Sequence, residues 1–120
     1  MDLSTGFALN VSNFHSTPDN IAYGNRVSGM VNGKHYVIDT SRNGSGKSAG
    51  SEWCNARNQA LGIAPTTDTR QALVDAYLWV KTPGQSDGPC NGGPRAGAWW
   101  AEYALELSRT AQVLGGTLPR

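Results

Sequence analysis

The chain has 120 residues, which one domain of about 100 to 200 residues accounts for, so one domain is expected in place of two independent ones. Ten Lys plus Arg against nine Asp plus Glu leave a formal charge of +1, which supplies no electrostatic footprint for a nucleic acid. No run of about 18 apolar residues exists to span a membrane, and Met1-Asp2-Leu3-Ser4-Thr5-Gly6 has neither the basic nor the apolar region of an export signal.

Apolar residues make up 38%, against roughly 45 to 50% in globular domains on a count that includes glycine. Fifteen Gly, six Pro and four Trp predict a loop-rich chain with exposed or half-exposed aromatics, and the elements in chain order make it α/β. In chain order, residues 6–12 read as a first strand, short, apolar and bounded by Gly and Asn. A helix follows, with Thr17 as its cap and Pro18 in its first turn. Ile21, Ala22, Val27 and Met30 form its apolar face, and Asn32-Gly33 stops it. Residues 34–39 are the second strand. Strand, helix, strand at this spacing predicts parallel pairing in a βαβ unit.

Residues 41–69 turn to Gly, Ser, Asn, Thr and charged side chains without a sustained period, a long excursion of the functional or disordered kind. Residues 73–81 make the third strand. Its core Ala76-Tyr77-Leu78-Trp79-Val80, like Tyr36-Val37-Ile38, is apolar enough to predict cover on both faces. Residues 83–97 form a second excursion. The last element is an amphipathic helix over 98–114, with Trp100, Tyr103, Ala104, Leu107, Ala111 and Leu114 on one stripe and Gly115-Gly116 at its end. Both excursions leave the carboxyl ends of strands, where open α/β sheets bind ligands. Functional residues are therefore expected in 39–69 and 81–97.

Cys54 and Cys90 fall one in each excursion. Neither belongs to a Cys-x-x-Cys pair, and two His are poor raw material for a four-ligand metal site, so no metal or other cofactor is implied. The two thiols read either as a disulfide clipping the excursions together, with an oxidising compartment, or as free cysteines. Gly44-Ser45-Gly46-Lys47-Ser48 is a partial phosphate-loop match. Its first glycine is replaced by Ser41 and no helix pattern follows, so a solvated loop is the better reading and nucleotide binding through Lys47 a minor one. Asp39-Thr40-Ser41-Arg42 and the stretch from Lys81 to Gly88 gather polar groups at strand ends. Asp87 lies within reach of Arg42 and Lys81, cations that keep a carboxylate ionised as a base requires, although an Asp before Gly88 also serves turn geometry. Trp53, in Glu52-Trp53-Cys54-Asn55, suits either half-buried packing or stacking on a sugar ring.

The ordered set Gly6-Phe7-Ala8-Leu9-Asn10-Val11-Ser12-Asn13, Asp39-Thr40-Ser41-Arg42-Asn43-Gly44, Glu52-Trp53-Cys54-Asn55, Asp75-Ala76-Tyr77-Leu78-Trp79-Val80-Lys81, residues 84–88, and Gly97-Ala98-Trp99-Trp100 resembles the C-terminal part of glycoside hydrolase family 6. That resemblance implies secreted cellulases that cut β-1,4-glucan with inversion on a distorted β/α barrel. Residues 1–120 would be one partial domain of it, with about three parallel strands. It implies a Cys54–Cys90 disulfide, Trp53 stacked on a glucosyl unit, and Asn10 or Asn13 lining the cleft. Asp87 would be the base, salt-linked to Arg42 and Lys81, while Lys81 and position 85 hold sugar hydroxyls.

Two departures qualify the resemblance. Position 85 is Gln where the family usually has Glu, so one charged sugar contact becomes neutral. Inversion also needs a second carboxyl about 6.5 to 9.5 Å from the base. Neither Asp2 nor Asp19 sits in an acid-like motif, so the acid is expected outside this chain and the isolated chain is expected to be nearly inactive. The alternative is a non-catalytic carbohydrate-binding fragment built on Trp53, Lys81 and Gln85. Three strands of a larger barrel would leave two unpaired edges, which predicts association with the missing N-terminal half or with a second copy.

Overall fold

The structure is a computed structural model that describes residues 4–46 and 52–115, with the backbone alone at 113–115. Three parallel strands, β1 (Gly6–Leu9), β2 (His35–Asp39) and β3 (Val74–Leu78), lie in chain order with β2 central. They match the three expected strands, trimmed at their ends. Helix α1 (Thr17–Met30) crosses from β1 to β2, and α2 (Ala101–Gly115) comes after β3.

Ser16, not Thr17, caps α1. Ser16 is extended and its side chain accepts a hydrogen bond from the Asp19 amide, which places Thr17 and Pro18 inside the first turn. The buried face of α1 is also not the expected one. Asn20, Gly24 and Ser28 point inward, whereas Met30 is 76% exposed and Ala22 is exposed. The cause is Tyr36, whose ring occupies the space where any Cβ on residue 24 would stand. Asn20 and Ser28 tolerate burial because they donate to the His15, Ser16 and Lys34 carbonyls. Ile21 is the one member of the expected face that packs on the core of Tyr36, Ile38, Ile63, Val74 and Tyr77.

Cover on both faces of the sheet does not hold. Tyr36 and Ile38 are buried on the α1 side, but Leu78 is 36% and Val80 51% exposed. Apolarity alone cannot separate a strand buried within this chain from one whose second face is left open. The edges differ too. Among the described residues no strand pairs with the outer side of β1, whereas β3 is partly covered because Tyr77 and Thr66 exchange both backbone hydrogen bonds.

Helix α2 begins after Trp99 and Trp100, three residues later than expected. Trp100, Tyr103 and Leu107 are buried with the partly buried Leu61 packed against them, while the Leu114 side chain lies outside the described residues. The helix therefore seats on the first excursion: Tyr103 donates its hydroxyl to the Ala56 carbonyl at 2.7 Å, and Arg57 pairs with Glu106. That excursion is packed, with Asn55, Ala56, Gln59 and Ala60 all buried. Gly44 serves this packing. A Cβ there would collide with the Leu61 carbonyl, and the Gly44 amide donates to the Ala60 carbonyl, so the first residue of the partial phosphate loop is a backbone contact. Lys47 and Ser48 lie outside the described residues.

Candidate active site

Parallel pairing brings the three strand ends to one edge, and the Asp39 carboxylate ties their loops together there. Its Oδ1 accepts the Ser41 amide at 2.9 Å; its Oδ2 accepts the Ser12 amide at 3.3 Å and the Lys81 amide at 3.0 Å. Asp39 is 1% exposed, so its chemistry is spent on holding three loops in register.

Next to it, Arg42 is fully buried with its guanidinium over the Phe14 ring, 4.1 Å from the centroid. It donates to the Ser12 carbonyl and to Asp87 Oδ2, both at 2.7 Å. Lys81 Nζ lies 3.1 Å from Asp87 Oδ1, and the Asp87 side chain is only 4% exposed. Burial works to raise the Asp87 pKa, but the hydrogen bonds from Arg42 and the Asn55 amide, the Arg42 charge and the Lys81 hydrogen bond outweigh it. The carboxyl is held below its ordinary value. Such a group accepts a proton or stabilises positive charge; it does not donate a proton near neutral pH.

The Cys54–Cys90 disulfide joins the two excursions beside this cluster. Trp53, adjacent to the bridge, is 59% exposed. Gln85 is half-buried and paired through its backbone with Trp99, which is 62% exposed. Arg42, Lys81, Asp87, Cys54 and Cys90 thus come together as the sequence indicates. Asn10 and Asn13 stand apart. The Asn10 side chain bonds to His15 and to the Asp39 carbonyl, and Asn13 accepts from the Phe14 amide. Both line a hollow of about 410 Å³ with His15, Asp19, Asn20 and Tyr23 that does not include Asp87.

Sequence reasoning missed Asn55, fully buried against Asp87, and the tying role of Asp39. The one signal for Asn55 was its place beside Cys54. Among the described residues no cluster of three or more His, Cys, Asp or Glu is arranged to hold a metal, and no helix is long and apolar enough to cross a membrane.

A sequence model of the glycosyl hydrolases family 6 matches residues 2–111. Endoglucanase A of Cellulomonas fimi is 53% identical over 111 residues, which cover 92% of this chain and 24% of that protein. A probable 1,4-β-D-glucan cellobiohydrolase C of Aspergillus niger is 32% identical, over 88% of this chain and 31% of its own length. Among solved structures, the endoglucanase of Mycobacterium tuberculosis in complex with methyl-cellobiosyl-4-deoxy-4-thio-β-D-cellobioside superposes with a TM-score of 0.85 at 52% identity. The match covers 90% of this chain and 38% of that one, so the chain spans well under half of each of these relatives.

Proposed function

Since the chain belongs to glycosyl hydrolase family 6, and its sheet and helices match a fragment of that family's distorted β/α barrel, we propose that residues 1–120 are one partial domain of a secreted enzyme that hydrolyses β-1,4-glucosidic bonds in glucan with inversion. The observation that carries this reading is the Asp87 carboxylate, held ionised by Arg42 and Lys81 at the carboxyl ends of three parallel strands.

In this reading Asp87 is the base. It accepts the proton of a water attacking the anomeric carbon, while an acid from outside this chain protonates the leaving oxygen. Trp53 offers an apolar face to one glucosyl ring, and Lys81 and Gln85 bond sugar hydroxyls. Asn10 and Asn13, which line a separate hollow, are left out of the sugar contacts. No metal or organic cofactor takes part. The open side of β1 and the bare sheet face at Leu78 and Val80 receive the rest of the barrel or, in its absence, a second copy.

The deciding experiment is reducing-sugar release from a soluble β-1,4-glucan, by the 120-residue chain and by the chain together with the remaining barrel. The chain alone is expected to lack about 10² to 10⁴ in rate, the usual share of one proton-transfer group. Full turnover by the chain alone would show that the acid is present after all. Undiminished turnover of the assembled enzyme with Asp87→Ala would remove Asp87 from the role of base.

A second reading is favoured by the near-complete enclosure of Asp87: a fragment that binds cello-oligosaccharide without cutting it. Cello-oligosaccharide titration separates the two. Binding without hydrolysis that is lost in Trp53→Ala and indifferent to Asp87→Ala selects the binding fragment.

A further inference from the structure

We infer that Asn55 is a positioning residue for the Asp87 carboxylate. The functional meaning of this rests on the reading of Asp87 as the base.

The geometry is reciprocal. The Asn55 amide donates to Asp87 Oδ2 at 2.9 Å, and the Asp87 amide donates to Asn55 Oδ1 at 2.9 Å. Asn55 is fully buried, and its backbone sits at φ 52°, a left-handed conformation that Asn adopts more readily than most side chains. The side-chain amide fixes that conformation by donating its two hydrogens to the Gly88 carbonyl at 2.9 Å and the Cys90 carbonyl at 3.0 Å, with Ser86 Oγ 3.3 Å away. Room for it comes from Gly93, where any Cβ would strike the Asn55 side-chain nitrogen Nδ2. Asn55 therefore reads the loop of residues 86–90 at several points and answers with one N–H aimed at the carboxylate.

The consequence for Asp87 is an asymmetry between its oxygens. Oδ2 is engaged by Arg42 and Asn55, whereas among the described residues Oδ1 meets Lys81 alone. Oδ1 keeps lone-pair capacity, so it is the oxygen that takes a proton from a water. Arg42 supplies charge from one side, and Asn55 fixes the plane in which the carboxylate turns.

The test follows the Asn55 amide proton and the Asp87 carboxyl carbon by NMR through an acid titration of the 120-residue chain. The Asn55 amide is expected to shift with the same midpoint as the Asp87 carboxyl. An Asn55 amide that stays fixed while Asp87 titrates overturns the proposal, and this needs no variant. In Asn55→Gly, which allows the same backbone conformation and lacks only the side-chain anchors, the Asp87 midpoint is expected to rise by about one pH unit, a tenfold change in proton affinity. An unchanged midpoint in that variant, with the disulfide intact and the fold retained by circular dichroism, also overturns it. In the assembled barrel the acidic limb of the pH–rate profile should move up with it. Loss of the base assignment through an active Asp87→Ala enzyme would leave the Asn55–Asp87 titration as it is, so the two failures are told apart.

Discussion

The flank of the sheet under α1 and the carboxyl end of its strands are both buried, by opposite means. Under α1 the buried cluster is apolar and small: Tyr36, Ile38, Ile63, Val74 and Tyr77. At the strand ends Asp39, Thr40, Ser41, Arg42, Asn55 and Ser86 are each 1% exposed or less. Removing water from such groups is costly unless each is paired, so that end tolerates little deletion, whereas an apolar flank loses stability in proportion to the volume removed. Stability and candidate chemistry are thus concentrated in the same residues at one end of the sheet.

Substitutions at the two places test that contrast, and the largest effect is expected from Asp87→Ala. It strands Arg42 in a fully buried position and should cost about 3 to 5 kcal/mol in denaturant unfolding. A smaller loss than that of Ile38→Ala would break the contrast. The Asp87 contribution should also depend on pH in one direction. Because its folded pKa is lowered, its stabilisation is present above the ordinary carboxylate value of 3.8 and is lost as pH falls through the lower folded value. Unfolding of the chain and of Asp87→Asn at pH 7 and at pH 2 to 3 should show the gap closing on acidification.

Next comes the disulfide, which spans 36 residues. On the loop-entropy account Cys54→Ser with Cys90→Ser should lose up to about 4 kcal/mol and loosen the polar end more than the flank, as hydrogen exchange would reveal. Ile38→Ala should cost about 2 to 4 kcal/mol with little effect on Asp87 titration. Smallest is Ser16→Ala, about 1 kcal/mol, read by thermal unfolding as the loss of one cap at the start of α1.

The same contrast explains what the sequence disclosed. Strands were legible because β-branched and aromatic runs between turn residues report local geometry. Arg42, Lys81 and Asp87 were legible through the family resemblance, since charge at a strand end alone does not separate a base from a loop tie such as Asp39. The buried face of α1 was not, since it is set by the size of Tyr36 on another element and leaves small and polar residues inside. Asn55 and Asp39 were missed as organisers for a related reason. Their partners are backbone amides and carbonyls up to 42 residues away, and such bonds leave no mark in composition or period.

The seating of α2 on the first excursion also orders events at the ribosome. Tyr103 must be made before its hydroxyl can reach the Ala56 carbonyl, 47 residues upstream, which at 5 to 20 residues per second takes roughly 2 to 9 seconds. By then β1, α1 and β2 have long been available to one another. The loop that displays Trp53 therefore lacks its backing until Tyr103 is made, and Cys90, which closes the bridge to Cys54, is made within that same interval.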